Sequence, residues 1–285
     1  MKVKTISSIL RKKHNALLDS ITDEKVRGLM EKNTIITGGC IVSMLLGEEV
    51  NDYDMYFTDK ETVMAVANYY AEQFRKTHSE SNVTVTDEEG RVRIWIQSAG
   101  VAAEEDYTEE APEDDNETPQ EVEQEKPKYR PVYLTSNAIT LSDKVQLIIR
   151  FYGDAKEIHT NYDFVHCTNY WESSTGILST PVVALQAILA KELVYQGSKY
   201  PLASVIRTRK FINRGWNINA GQYLKMCMQI SDLDLHNADV LEDQLVGVDM
   251  AYFRSIINGI REKQEEDPFF KLSTEYVCEI IDRVF

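Results

Sequence analysis

Two glycines, Gly38 and Gly39, stand between a short β-branched run and a short apolar run, and two aspartates follow within sixteen residues, in "NTIITGGCIVSMLLGEEVNDYDMYFT". No other stretch restricts the fold so tightly. "NTIITGG" predicts a strand that ends in a tight turn, because glycine alone reaches backbone angles closed to other residues. "CIVSMLLG" predicts a helix that stops at Gly47. "DYDMYFT" alternates as a strand does. On a strand, residues i and i+2 project to one face, so Asp52 and Asp54 point the same way. The unit is therefore strand, glycine turn, helix, strand, with a carboxylate pair at the start of the second strand.

The flanking sequence extends this into a mixed domain. "MKVKTISSILRKKHNALLDS" is basic and amphipathic and lacks the apolar core and small-residue cleavage site of a signal peptide. "DKETVMAVANYYAEQFRKTH" predicts a helix capped by Asp59, and "NVTVTDEEGRVRIWIQS" a hairpin turning near Glu88 to Gly90. "PVYLTSNAITLSDKVQLIIRF" predicts two more strands around a Ser-Asp turn, and "EIHTNYDFVHCTNYW" a further alternating strand that carries Asp163. From Pro181 onward the pattern is helical, with breaks at Gly197 to Pro201, Asn213 to Asn219 and Asp267-Pro268. The expected class is α+β: a mixed sheet with flanking helices over 1–180, then a helical domain over 181–285.

Charge is concentrated rather than spread. The chain carries a net −15, yet Glu104 to Glu125 alone holds twelve acids and no base; the remainder has 34 acids against 31 bases. A nucleic-acid partner is thus not excluded by net charge. The segment at about 99–128 is rich in acid and proline and poor in large apolar residues, so a disordered insertion is expected there. The four cysteines lie far apart without metal-ligand or disulfide spacing. No run is apolar over the roughly 18–20 residues a membrane span needs, so the expected location is cytoplasmic.

The chemistry of the opening unit follows from its residue types. Two close carboxylates repel when ionised unless a cation lies between them. Mg²⁺ takes one or two carboxylates together with substrate phosphate oxygens. Gly38 and Gly39 let a phosphate chain approach the backbone, and the helix that follows offers free N–H groups to the same phosphates. Ser43, one turn beyond Gly39, either reaches a phosphate or packs inward.

These residues resemble the nucleotidyltransferase superfamily, the fold of the catalytic domain of DNA polymerase beta, and most closely the head domain of bacterial CCA-adding enzymes and poly(A) polymerases. Their pattern GGxVRDxLLGxxxxDxD is matched by "GGCIVSMLLGEEVNDYD" in both glycines, the Leu-Leu-Gly, the four-residue gap and the D-x-D. Val42 and Ser43 replace the Arg-Asp pair of the pattern. "ITLSDKVQLIIRFYGDAKEIHTNYDF", with Gln146 and Tyr162-Asp163, resembles segments of viral and phage members of the fold. The resemblance implies a polymerase-beta-like domain that binds an NTP, with ATP expected, and Mg²⁺ or Mn²⁺. It would transfer the nucleotidyl group to an acceptor hydroxyl, with an RNA 3′ end favoured over a protein or small-molecule acceptor. Asp52, Asp54 and Asp163 would act in catalysis and hold the metal. Gly38, Gly39 and Ser43 would line the triphosphate, joined by Arg207 and Arg209 from the basic run "RTRKFINR". The alternative is a catalytically silent interaction or structural protein on the same fold. A phage-encoded member would work in the host cytoplasm.

Overall fold

Two helices lead the chain, α1 (Val3–Ser20) and α2 (Glu24–Asn33). The buried residues of α1, Ile6, Leu10, His14, Leu17 and Leu18, recur at helical spacing and form one stripe. Asp23 starts α2 by accepting from the N–H groups of Lys25 and Val26. Then come β1 (Thr34–Thr37), α3 (Gly39–Leu46), β2 (Tyr53–Phe57) and α4 (Lys60–Thr77), the last capped by Asp59 as expected. Gly47 ends α3 at φ 77°, with its N–H bonded to Met44 O and the N–H of Glu48 to Ser43 O. β3 (Ser81–Glu88) and β4 (Arg91–Ser98) pair as the predicted hairpin. The computed structural model describes residues 1–78, 81–88, 91–98, 128–245, 250–267 and 269–284. The expected disordered insertion lies outside these residues up to position 127.

The sheet continues with β5 (Pro131–Leu134), β6 (Ala138–Leu141) and β7 (Val145–Tyr152). These are three strands where two were expected. The hydroxyl of Thr135 accepts from the N–H groups of Asn137 and Ala138 and so closes a second turn ahead of the Ser-Asp one. The segment expected to be one alternating strand around Asp163 is not a strand. It forms α5 (Ala155–His159), a loop, one turn of 3₁₀ helix at Val165–Cys167, and only then β8 (Tyr170–Glu172). Asp154 and Glu157 form a reciprocal capping box that starts α5. Asn161 donates to Ile158 O, and Thr160 to Glu157 O, which draws the loop back onto the helix instead of into a ladder. β9 (Leu178–Ser179) and α6 (Val182–Ala190) follow.

Seven strands form one sheet in the order β5-β6-β7-β2-β1-β8-β9. β2 and β7 run parallel and the other pairs antiparallel, so the sheet is mixed and the class is α+β. Pairing register aligns whole rows across it. One row reads Leu134, Ile139, Leu147, Met55, Ile36, Trp171 and Leu178, and every member joins the core under α1 to α4. The adjacent row, on the opposite face, reads Tyr133, Thr140, Gln146, Asp54, Thr37, Tyr170 and Ser179. All seven of those residues carry a polar group. Beyond that row the same face turns apolar again, where Ile35, Tyr56 and Ile148 pack on Ala155 and Ile158 of α5.

Among the described residues the chain divides into two compact units, 1–98 with 128–190, and 191–284. The second unit is helical: α7 (Pro201–Asn213), α8 (Ala220–Ser231), α9 (Ala238–Gln244), α10 (Met250–Glu266) and α11 (Thr274–Val284). Its core gathers Leu241, Leu245, Ile256, Ile257, Ile260, Leu272 and Ile280.

Candidate nucleotide site

Gly38 joins the two halves of the sequence motif. Its backbone lies at φ 88°, ψ −147°, which only glycine adopts without strain. A Cβ placed there would meet Asp54 Oδ2 at 3.1 Å and the Tyr162 hydroxyl at 3.4 Å. The glycine turn therefore lies against the Asp54 carboxylate, and Thr37 is the direct strand partner of Asp54. At Gly39 the corresponding Cβ would meet nothing within 4 Å, so the first turn of α3 faces open space. No side chain caps α3, and its first N–H groups are left for another acceptor.

Thr37 anchors the far side of this turn. Its hydroxyl, fully buried, donates to Asn169 O at 2.8 Å and lies 2.8 Å from His159 Nε2. One proton serves one of these bonds, so Nε2 carries the hydrogen for the other. That fits a neutral imidazole: burial lowers the His159 pKa to about 4. His159 also packs on the rings of Tyr162 and Tyr170, at centroid distances of 5.0 and 5.6 Å.

Two carboxylates lie near the turn. Asp52 is exposed just ahead of β2, forming no ion pair with a described residue, and Asp54 is half-buried. Both are felt by Cys40, whose thiol is pushed well above its ordinary range by burial first, then by Asp54 and Asp52. The phenol of Tyr162 is raised in the same way, by burial first and then by Tyr56 and Asp54. Cys40, Tyr162 and His159 are thus neutral at pH 7, and a reactive Cys40 thiolate is disfavoured.

The remaining expected residues fall in three places. Ser43 lies half-buried on α3, and its hydroxyl bonds no described residue. Asp163 is buried at 8% exposure in the loop after α5, off the sheet. Among the described residues no group of three or more His, Cys, Asp or Glu side chains is placed to hold a metal ion, so Asp163 does not join Asp52 and Asp54 in such a group. Arg207 and Arg209 sit on α7 in the second unit, about 200° apart around the helix. Sequence reading missed Thr37 and His159. The available signal for Thr37 was its place directly before the glycines, a polar residue closing a β-branched strand.

A family model described as "Gabija anti-defense 2 family protein" matches residues 8–191, a span that holds both glycines, both aspartates and the whole seven-stranded sheet. The chain belongs to the Gabija anti-defense 2 family. A curated relative, "Gabija anti-defense 2" of Bacillus phage SPbetaL7, is 22% identical over 237 residues, covering 82% of this chain and 46% of its own length. This Gabija anti-defense 2 family member thus spans less than half the length of that relative. Its structural neighbours include a tRNA-processing enzyme in an apo form, at 16% identity and a TM-score of 0.43, covering 86% of this chain and 52% of that one. They also include a tRNA-processing enzyme with CTP, at 14% identity and a TM-score of 0.41, covering 90% and 57%. A tRNA nucleotidyltransferase complexed with a primer tRNA and an incoming ATP analogue is 15% identical with a TM-score of 0.39, covering 75% and 51%.

Proposed function

We propose that this chain binds a nucleoside triphosphate with a divalent cation and transfers the nucleotidyl group to an acceptor hydroxyl, and that this serves the anti-defense role for which its family is named. The observation that carries the reading is the seating of the Gly38 backbone against the Asp54 carboxylate, beside an uncapped helix start. A surface that receives phosphates and a pair that receives a cation are thereby one site.

The donor set fits Mg²⁺ or Mn²⁺. Asp52 and Asp54 would supply two hard oxygens, and such an ion completes its shell with water and phosphate oxygens. When bound, the cation neutralises phosphate charge and orients the triphosphate. The first N–H groups of α3 and the bare Gly39 backbone receive phosphate oxygens, with Ser43 within one turn. Thr37, His159 and Tyr162 fix the floor on which Asp54 stands. One aspartate of the pair takes the proton of the attacking hydroxyl. The acceptor oxygen bonds to the α-phosphorus, the α–β bridging P–O bond breaks, and pyrophosphate leaves. ATP and an RNA 3′ end are the expected nucleotide and acceptor, and Arg207 and Arg209 are candidates for holding phosphate or RNA backbone. Because the curated relative is a phage protein, the reading sets this work in the host cytoplasm. No helix among the described residues is long and apolar enough to cross a membrane.

The test is incubation with α-labelled NTPs, Mg²⁺ and mixed RNA. Label should pass to RNA and be lost in Asp52→Ala and Asp54→Ala. Transfer that persists equally in both variants sinks the assignment, and label on protein instead of RNA revises only the acceptor. A second reading, nucleotide binding without transfer, is favoured by the lack of a third grouped carboxylate among the described residues. Saturable NTP binding with no transfer to any acceptor would select it.

A further inference from the structure

Gln146 has no role in the site as described so far, yet it stands closest to Asp54 on the β7 side. The two residues are direct partners in the parallel β2–β7 register, so their side chains leave the same face on strands about 4.8 Å apart. Gln146 is half-buried, and its amide bonds no described residue; the same holds for the hydroxyl of Thr140, next in the row.

Apart from Asp52, the residues flanking Asp54 on the glycine turn and on β1 offer it no charge. Thr37, its partner on the opposite side, spends its hydroxyl on Asn169 O and His159. Gly38 has no side chain. Two cations in a phosphoryl-transfer centre lie about 3.5–4 Å apart and share bridging carboxylates. A further carboxylate for a second ion beside Asp54 could come from one of the two strand positions flanking it. Those positions hold Thr37 and Gln146. An amide oxygen carries no net charge and is a weak ligand for Mg²⁺ compared with a carboxylate.

Resting on the nucleotide reading above, we propose that Gln146 limits this site to one divalent cation, held by Asp52 and Asp54 with the nucleotide. The cation number is then set by one uncharged residue in the polar row, and changing its charge changes the number. Asp163, off the sheet, does not supply the missing ligand.

The experiment counts protein-bound Mn²⁺ by electron paramagnetic resonance in the full chain, saturated with a non-hydrolysable ATP analogue. The Asp52→Ala/Asp54→Ala double variant subtracts ions held by the nucleotide alone. The wild type should bind one ion per chain, with no spin-coupled signal. Gln146→Glu should bind two, with the coupled spectrum of ions about 4 Å apart. Two coupled ions in the wild type would overturn the limit while leaving nucleotide binding intact. A single ion in Gln146→Glu, with its circular dichroism unchanged, would equally overturn it. If Gln146→Glu does not fold, Gln146→Asp is counted in its place against the same two outcomes, and the wild-type count stands by itself. No ion beyond the double-variant background would remove the nucleotide reading, and this inference with it.

Discussion

Gly38 concentrates two constraints in one residue. Its φ of 88° excludes a side chain by strain, and the Asp54 oxygen 3.1 Å from the Cβ position excludes one by contact. Gly38→Ala should cost about 1–3 kcal/mol of stability, read from urea unfolding, and should weaken nucleotide binding by more than Gly39→Ala, whose Cβ meets open space. Equal effects at the two glycines would contradict the seating of Asp54 on Gly38. Buried imidazoles give a second residue-scale prediction. Burial pulls His14, His159 and His166 each to about 4. The unfolded chain takes up these protons near pH 6.5 and the folded chain refuses them until about 4, so stability is complete above 6.5 and falls as pH drops toward 4. The urea midpoint should decline across that window. His14→Gln, which can still donate to Met30 O, should flatten the slope. The pairing of the glycine turn with Asp54 was legible in the sequence because its spacing is local. Thr37 and His159 were not, since their bond joins residues 122 positions apart.

At the level of elements, α5 shows how a local cap overrides an alternating pattern. Read by period alone, Glu157 to Trp171 is a strand; the Asp154–Glu157 capping box and the turn-back bonds of Thr160 and Asn161 make it a helix, a loop and a 3₁₀ turn. The capping residues straddle the start of the misread run, in "GDAKEIH", and a Gly before an Asp-x-x-Glu was the signal that could have found the helix. This matters for the site because α5 and its loop hold His159 and Tyr162 over Thr37 and Gly38. Asp154→Ala should destabilise the protein by about 1 kcal/mol. It should also reduce affinity for an ATP analogue, measured by calorimetry, although Asp154 is not placed in the site. Unchanged affinity would mean that α5 does not position the floor. Strand β1 was read correctly from its β-branched run closed by the glycine turn, and β2 from its alternation. β5 and β6 merged in the reading because Thr135 closes its turn with a hydroxyl and no glycine or proline marks it.

For the whole molecule, two compact units with separate cores predict two contributions to unfolding. The unit that carries Asp52 and Asp54 should be the one that responds to ligand. A ligand at 100 times its dissociation constant adds about 2.7 kcal/mol to the state that binds it. In scanning calorimetry, ATP analogue with Mg²⁺ should raise the transition of that unit and leave the other in place; Asp54→Asn should abolish the rise. A shift confined to the other transition would relocate the nucleotide. The mixed sheet and the helical second half were legible from the change of period near residue 180. The row structure of the sheet was not, because register is a property of strand pairs and no single strand contains it. That register carries a consequence for quality control. The polar row and the apolar row alternate on the same seven strands, one step apart. A slip of one residue between β1 and β2 would bury Asp54 and expose Met55, damaging site and core in a single error. This error therefore never yields a copy with a sound core and a slipped site, because the core is lost with the site.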